Sequence, residues 1–149
     1  MKVRLFRDMR GAETMSMKIY ADQLERHLTC EHESVTVNGL YAPRPFYYFS
    51  KECVYPVVAG LNQGDINHII DHSYASLLRF LDAKKTVVTC HDLISLEFPR
   101  NAGRMGRSLF RYNVRFLDKA ARIIVDSFYT GRVLLDRLGI AGERVTVVY

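Results

Sequence analysis

Along the chain, short apolar runs alternate with longer stretches in which apolar residues recur every three or four positions. Val3-Arg4-Leu5-Phe6 reads as a first strand. Met17, Tyr20, Ala21, Leu24 and Leu28 then fall at helical spacing, which predicts an amphipathic helix over about residues 13–29. Ser34 to Leu40 alternates as a strand does, with Val35 and Val37 on one side. Neither kind of element continues through Tyr41-Ala42-Pro43-Arg44-Pro45, so this segment reads as a loop. Residues 46–62 are rich in aromatics and predict an irregular helix broken near Pro56. Asp65 to Ile70 reads as a strand and residues 74–82 as a helix. Thr86 to Thr89 has the wholly apolar centre of a strand buried on both faces in a parallel sheet. A helix is expected over residues 104–120, then a strand from Arg122 to Asp126. Ser127 is placed to cap the next helix, which ends before Gly139, and Arg144 to Tyr149 reads as a last strand.

Six strands, mostly separated by helices, predict an α/β fold: a Rossmann-like open parallel sheet with helices on both faces. The 149 residues suit one domain, expected to span 1–149. Hydrophobic residues make up 48% and charged residues 25%, enough to build a core and too apolar for a disordered chain. No apolar run approaches the ~18 residues of a membrane span, and Met1 to Arg10 lacks the apolar stretch of a signal peptide. Cys30, Cys53 and Cys90 are odd in number and widely spaced, which fits a reduced, cytoplasmic setting and no metal site.

Charge is unevenly placed. Residues 100–149 carry ten basic and four acidic residues (+6), whereas residues 1–99 carry 11 basic and 12 acidic (−1). Such asymmetry points to an anionic partner: a phosphorylated ligand, a lipid surface or nucleic acid. No nucleic-acid-binding motif accompanies it. Arg104, Arg107, Arg111 and Arg115 fall on one helical stripe, either a solvated face or a surface for anionic lipid headgroups.

In open α/β sheets, ligands collect at the carboxyl ends of the strands. The residues expected there are Arg7, Asp8, Arg10, Gly11 and Glu13 after the first strand, and Asp71, His72 and Ser73 after the third. His91 and Asp92 follow the fourth strand, and Ser127, Tyr129 and Thr130 the fifth. Gly11 either lets the backbone approach a phosphate at a helix N-terminus or is a plain turn glycine; it has no GxGxxG partners. His68, inside its strand, reads as a hydrogen-bonded structural residue, and Asp92 as a cap or orienting group. Cys90 beside His91 makes a poor nucleophile pair, because neighbours on a strand point to opposite faces.

The strand followed by RGAE (Arg10 to Glu13), then DINHIIDHS (Asp65 to Ser73), TVVTCHDL (Thr86 to Leu93), ARIIVDSFYT (Ala121 to Thr130) and GERVTVVY (Gly142 to Tyr149), occur in an order and spacing with a precedent. Together they resemble the N-terminal half of a retaining glycosyltransferase of the GT-B fold, family 4. The resemblance implies the acceptor-side domain of a two-domain enzyme that moves a sugar from a nucleotide-sugar donor to a glycan or lipid-linked acceptor. The C-terminal donor-binding domain is expected to be absent from this chain, which would then be inactive alone. The resemblance also implies His91 as the catalytic group at the transferred sugar or its leaving phosphate. Arg10, Gly11 and Ala12 would form the loop at the donor phosphates, and Asp71, His72, Ser73, Asp92 and Ser127 the acceptor side. It implies no metal and no resident cofactor. The basic last third and the Arg stripe, without a nucleic-acid motif, lead to the expectation of no nucleic acid and of peripheral contact with an anionic membrane at its inner face. A stand-alone Rossmann-like binding module, or an inactive remnant, is the alternative.

Overall fold

The computed structural model describes residues 1–11, 14–39, 44–97 and 104–148. Its strands are β1 (Lys2–Phe6), β2 (Glu31–Val35), β3 (Ile66–Ile69), β4 (Thr86–Cys90), β5 (Arg122–Val125) and β6 (Val145–Val147). Its helices are α1 (Met15–His27), α2 (Arg44–Phe49), α3 (Tyr55–Leu61), α4 (Ile94–Glu97), α5 (Arg104–Val114) and α6 (Phe128–Leu138). All six strands pair in parallel, in the order β2-β1-β3-β4-β5-β6. The α/β open parallel sheet is therefore the fold.

The order decides where the helices go. The step from β1 to β2 runs one way along the sheet and every later step runs the other way. Right-handed crossovers then place α1 on one face and the remaining helices on the opposite face. The core divides accordingly. Val3, Leu5 and Ile70 pack with Ala21, Tyr20, Leu24 and Leu28 of α1. On the other side Phe6, Ile69, Val88, Ile123 and Val125 pack with Tyr55, Leu77, Val114, Leu117 and Leu134. The direction of winding reverses between β1 and β3, and a ligand crevice forms at such a point.

Several elements differ from the sequence reading. The second strand covers Glu31–Val35, not Ser34–Leu40; beyond it only Asn38 bridges back, to Arg10. Its charged residues are held by β1, where Lys2 and Arg4 pair with Glu33 and Lys2 also reaches Glu31. Cross-strand ion pairs at an exposed edge replace the apolar alternation that the prediction relied on. The segment after the third strand is a 3₁₀ helix, His72–Arg79, begun by the Asp71 side chain, and does not extend to residue 82. Helix α5 stops at Val114, and a 3₁₀ turn, Leu117–Lys119, follows it so that Phe116 and Leu117 are buried. Tyr41 to Pro43 lies outside the described residues, whereas Arg44 and Pro45 already open α2. Pro56 does not break its helix: a π-helical turn, Ser50–Val54, runs into α3, and Pro56 sits in its first turn, where no N–H is required.

Candidate active site at the carboxyl edge of the sheet

His91 is the residue just past β4, and its side chain is 14% exposed. Three elements hold the ring. Nε2 lies 3.3 Å from the Ile70 carbonyl at the end of β3, and Nδ1 lies 3.4 Å from the Asp126 carboxylate after β5. The Tyr20 ring of α1 meets it edge-on, with centroids 4.8 Å apart. The Tyr20 hydroxyl in turn is 3.2 Å from the Thr89 hydroxyl, which is 2.8 Å from His68 Nε2. Both polar contacts of the His91 ring are long for hydrogen bonds, so either nitrogen can be recruited by a ligand at small loss. The side chain is thus held in place without being used up.

His72 lies next to this ring at the head of the 3₁₀ helix and is only 7% exposed. Its Nδ1 is 3.2 Å from the Asp71 carboxylate but out of line for a hydrogen bond, and its ring packs edge-on to Phe110. Burial lowers its pKa against the pull of Asp71 and Asp92, so the neutral ring is favoured. Asp71 accepts from the Ser73 N–H at 2.8 Å and the Ser73 hydroxyl at 2.7 Å. Asp92 accepts from the Ile94 N–H at 3.1 Å and starts α4, the capping role expected of it. Ser127 caps α6 by accepting from the Thr130 N–H at 3.1 Å, and the Thr130 hydroxyl donates to the His91 carbonyl at 3.3 Å. Asp71, His72, Ser73, His91, Asp92 and Ser127 therefore gather at the carboxyl ends of three adjacent strands.

Arg10 and Gly11 follow β1, the next strand along from β3. Arg10 is exposed and bridges to Asn38 beyond β2, while Gly11 has φ +83°, a conformation that favours glycine. Ala12 and Glu13 lie outside the described residues. Arg7, from the same strand end, is bound to Asp22 and Glu25 of α1; these partners outweigh its desolvation and raise its pKa. Cys90 is buried, its thiol pushed up by desolvation and nearby carboxylates, which makes it inert rather than nucleophilic. His68 is structural, as read: burial lowers its pKa to about 4.

Three participants escaped the sequence reading. Tyr20 was visible only as a core position of α1, and Asp126 only as the end of a strand. Lys51 was hidden in the aromatic stretch; the π-helical turn points it inward, with Nζ 4.2 Å from the centre of the Tyr74 ring. Burial lowers its pKa against Asp71, Glu52 and Asp8. The π-turn that aims it is a feature of the fold, with no mark in the local sequence. Among the described residues no group of three or more His, Cys, Asp or Glu is arranged to hold a metal ion. A groove of about 650 Å³ lies between α6 and β6, lined by residues such as Phe128, Leu135 and Val147, and none of the expected site residues borders it.

The model of Glycosyltransferase Family 4 matches residues 17–149. The chain belongs to glycosyltransferase family 4. The six-stranded parallel sheet fits the N-terminal domain of a GT-B member of family 4, as the motifs implied. Comparison with curated proteins finds no match. No described helix of this family 4 chain is long and apolar enough to cross a membrane.

Proposed function

We propose that this chain is the acceptor-binding half of a retaining glycosyltransferase that moves a sugar from a nucleotide-sugar donor to a glycan or lipid-linked acceptor. The observation that carries the reading is the His91 ring, held by Ile70, Asp126 and Tyr20 at the carboxyl edge beside the reversal of winding. A preorganised imidazole there can donate to charge that develops on a departing diphosphate, or to a hydroxyl of the transferred sugar. Asp71, Ser73, Asp92 and Ser127 supply carboxylate and hydroxyl groups suited to the hydroxyls of an acceptor. The donor's nucleotide is assigned to a second domain, and Arg10, Gly11 and Ala12 to its phosphates. Catalysis needs donor and acceptor held in one geometry, so the 149-residue chain by itself should give no turnover.

Two measurements test this. Titrating the chain with a panel of glycan acceptors should shift NMR resonances of Asp71, His72, Ser73, His91, Asp92 and Ser127; perturbation confined to other surfaces would sink the assignment. In the two-domain enzyme, His91→Ala should lower kcat by about 10²–10³ with an unchanged melting temperature. A folded variant with near-normal kcat removes His91 from the chemistry.

A further inference from the structure

The segment from α2 through the π-helical turn to α3, Arg44–Leu61, is one continuous helical rod about 27 Å long. Its two faces differ in kind. Inward, Lys51 lies over Tyr74, and the Tyr55 hydroxyl bonds the Arg7 and Val35 carbonyls behind the site. Outward, Phe46, Phe49, Val54, Val57 and Leu61 are all exposed, Phe46 by 54%, Phe49 by 58% and Leu61 by 82%. Among the described side chains none that is charged interrupts this outer stripe, since Lys51 turns inward and Glu52 is engaged by Asn113 and Arg79. A surface helix ordinarily presents charge to water, and a contiguous apolar face marks a partner.

The stripe continues onto a basic rim. Gly60 packs against Phe80, itself half exposed; a Cβ at Gly60 would come within 3.1 Å of the Phe80 Cβ. The Arg79 guanidinium lies between the Phe80 and Tyr112 rings, and Arg115 stacks on Tyr112 at 4.4 Å. Arg107 and Arg111, on α5, and Arg115 beyond it have no carboxylate partner among the described residues; the Arg104 side chain lies outside them. Apolar and aromatic side chains beside uncompensated arginines are the pattern of a surface that sits in the headgroup region of a bilayer.

We propose that this face docks on an anionic lipid bilayer. The outer stripe from Phe46 to Leu61 enters the boundary between headgroups and acyl chains, and Arg107, Arg111 and Arg115 meet the phosphates. Docking by the outer face holds the rod, with Lys51 on its protein side, between the bilayer and the carboxyl edge, so an acceptor carried on a lipid is presented close to that edge. The proposal rests on the acceptor-binding reading and names the lipid-linked class within it. Of the two possible coverings, a bilayer fits better than a second copy, because the last third of the chain is net +6 and would repel itself.

Vesicle sedimentation of the whole chain decides it. The chain should pellet with equimolar phosphatidylcholine and phosphatidylglycerol vesicles, much less with phosphatidylcholine alone, and less as salt rises. Phe49→Ser and Leu61→Ser should each weaken binding by about tenfold. Arg107→Gln with Arg111→Gln should weaken it on anionic vesicles only. Phe49, Leu61 and Arg111 are exposed and Arg107 is half-buried; circular dichroism checks that the variants fold. A chain that stays in the supernatant with anionic vesicles at low salt overturns the proposal, as does binding indifferent to Phe49→Ser and Leu61→Ser. Self-association in sedimentation velocity that those two substitutions abolish, without vesicle binding, would assign the face to a second copy. If vesicle binding fails while soluble glycans still shift the carboxyl-edge resonances, this inference falls and the acceptor-binding reading stands.

Discussion

His68 shows how much a single buried side chain can couple to solution conditions. Its Nε2 shares a hydrogen with the Thr89 hydroxyl in a site that excludes water, and its pKa falls to about 4. The unfolded chain takes up a proton near pH 6.5 that the folded chain refuses until about pH 4. The stabilisation is therefore complete above about pH 6.5 and is lost as pH falls through that window. The loss should reach about 3 kcal/mol, with His72 adding in the same direction. Urea unfolding at pH 7 and pH 4.5 measures it. His68→Gln keeps an amide near Thr89 but cannot titrate, so its stability should change less over the interval. Parallel pH dependences for the two proteins would show that His68 is not the group responsible. Much of this was legible in advance: a histidine inside an apolar strand reads as structural. The Tyr20 link was not legible, because it joins residues 69 apart through a hydroxyl.

At the level of elements, α6 is defined by its ends. Ser127 has extended backbone and accepts from the Thr130 N–H, and Gly139 closes the helix in the left-handed conformation at φ +65°. Both ends were readable, since a capping hydroxyl and a terminal glycine act locally. Ser127→Ala should cost about 1 kcal/mol and Ser127→Asp much less, because the carboxylate restores the acceptor. Gly139→Ala should also cost about 1 kcal/mol. A Cβ at Gly139 would meet no atom within 4 Å, so that cost is backbone strain alone and Gly139→Asn should be milder. Thermal melts of the four variants test the pattern; a neutral Gly139→Ala would contradict the left-handed cap. The elements that were misread, by contrast, end for non-local reasons. β2 extends to Glu31 because Lys2 and Arg4 wait across the ladder, and α5 ends early to bury Phe116 and Leu117.

Across the whole molecule, the sheet is protected from its middle outward. β3 and β4 each have a strand on both sides and are almost wholly buried, whereas β2 and β6 lie at the two edges and are largely open to water. Opening free energies should follow that order. In native-state hydrogen exchange, amides of β4 should be the slowest and those of β6 among the fastest in the sheet. Equal protection in β4 and β6 would mean that something besides β5 covers the outer strand.

The sequence by itself determined the kinds of element and their alternation. Apolar period, capping residues and turn residues are properties of neighbours along the chain, and from them follow an α/β class and a short list of residues at strand ends. Tertiary structure alone decided which strand ends meet. The placement of β1 between β2 and β3 sends α1 to one face and the other helices to the opposite one. That arrangement sets Tyr20 against His91, brings Asp126 to the same ring and turns Lys51 inward while its helix shows an apolar back to water. These contacts depend on crossover handedness and on packing between residues far apart in sequence, which no local pattern records.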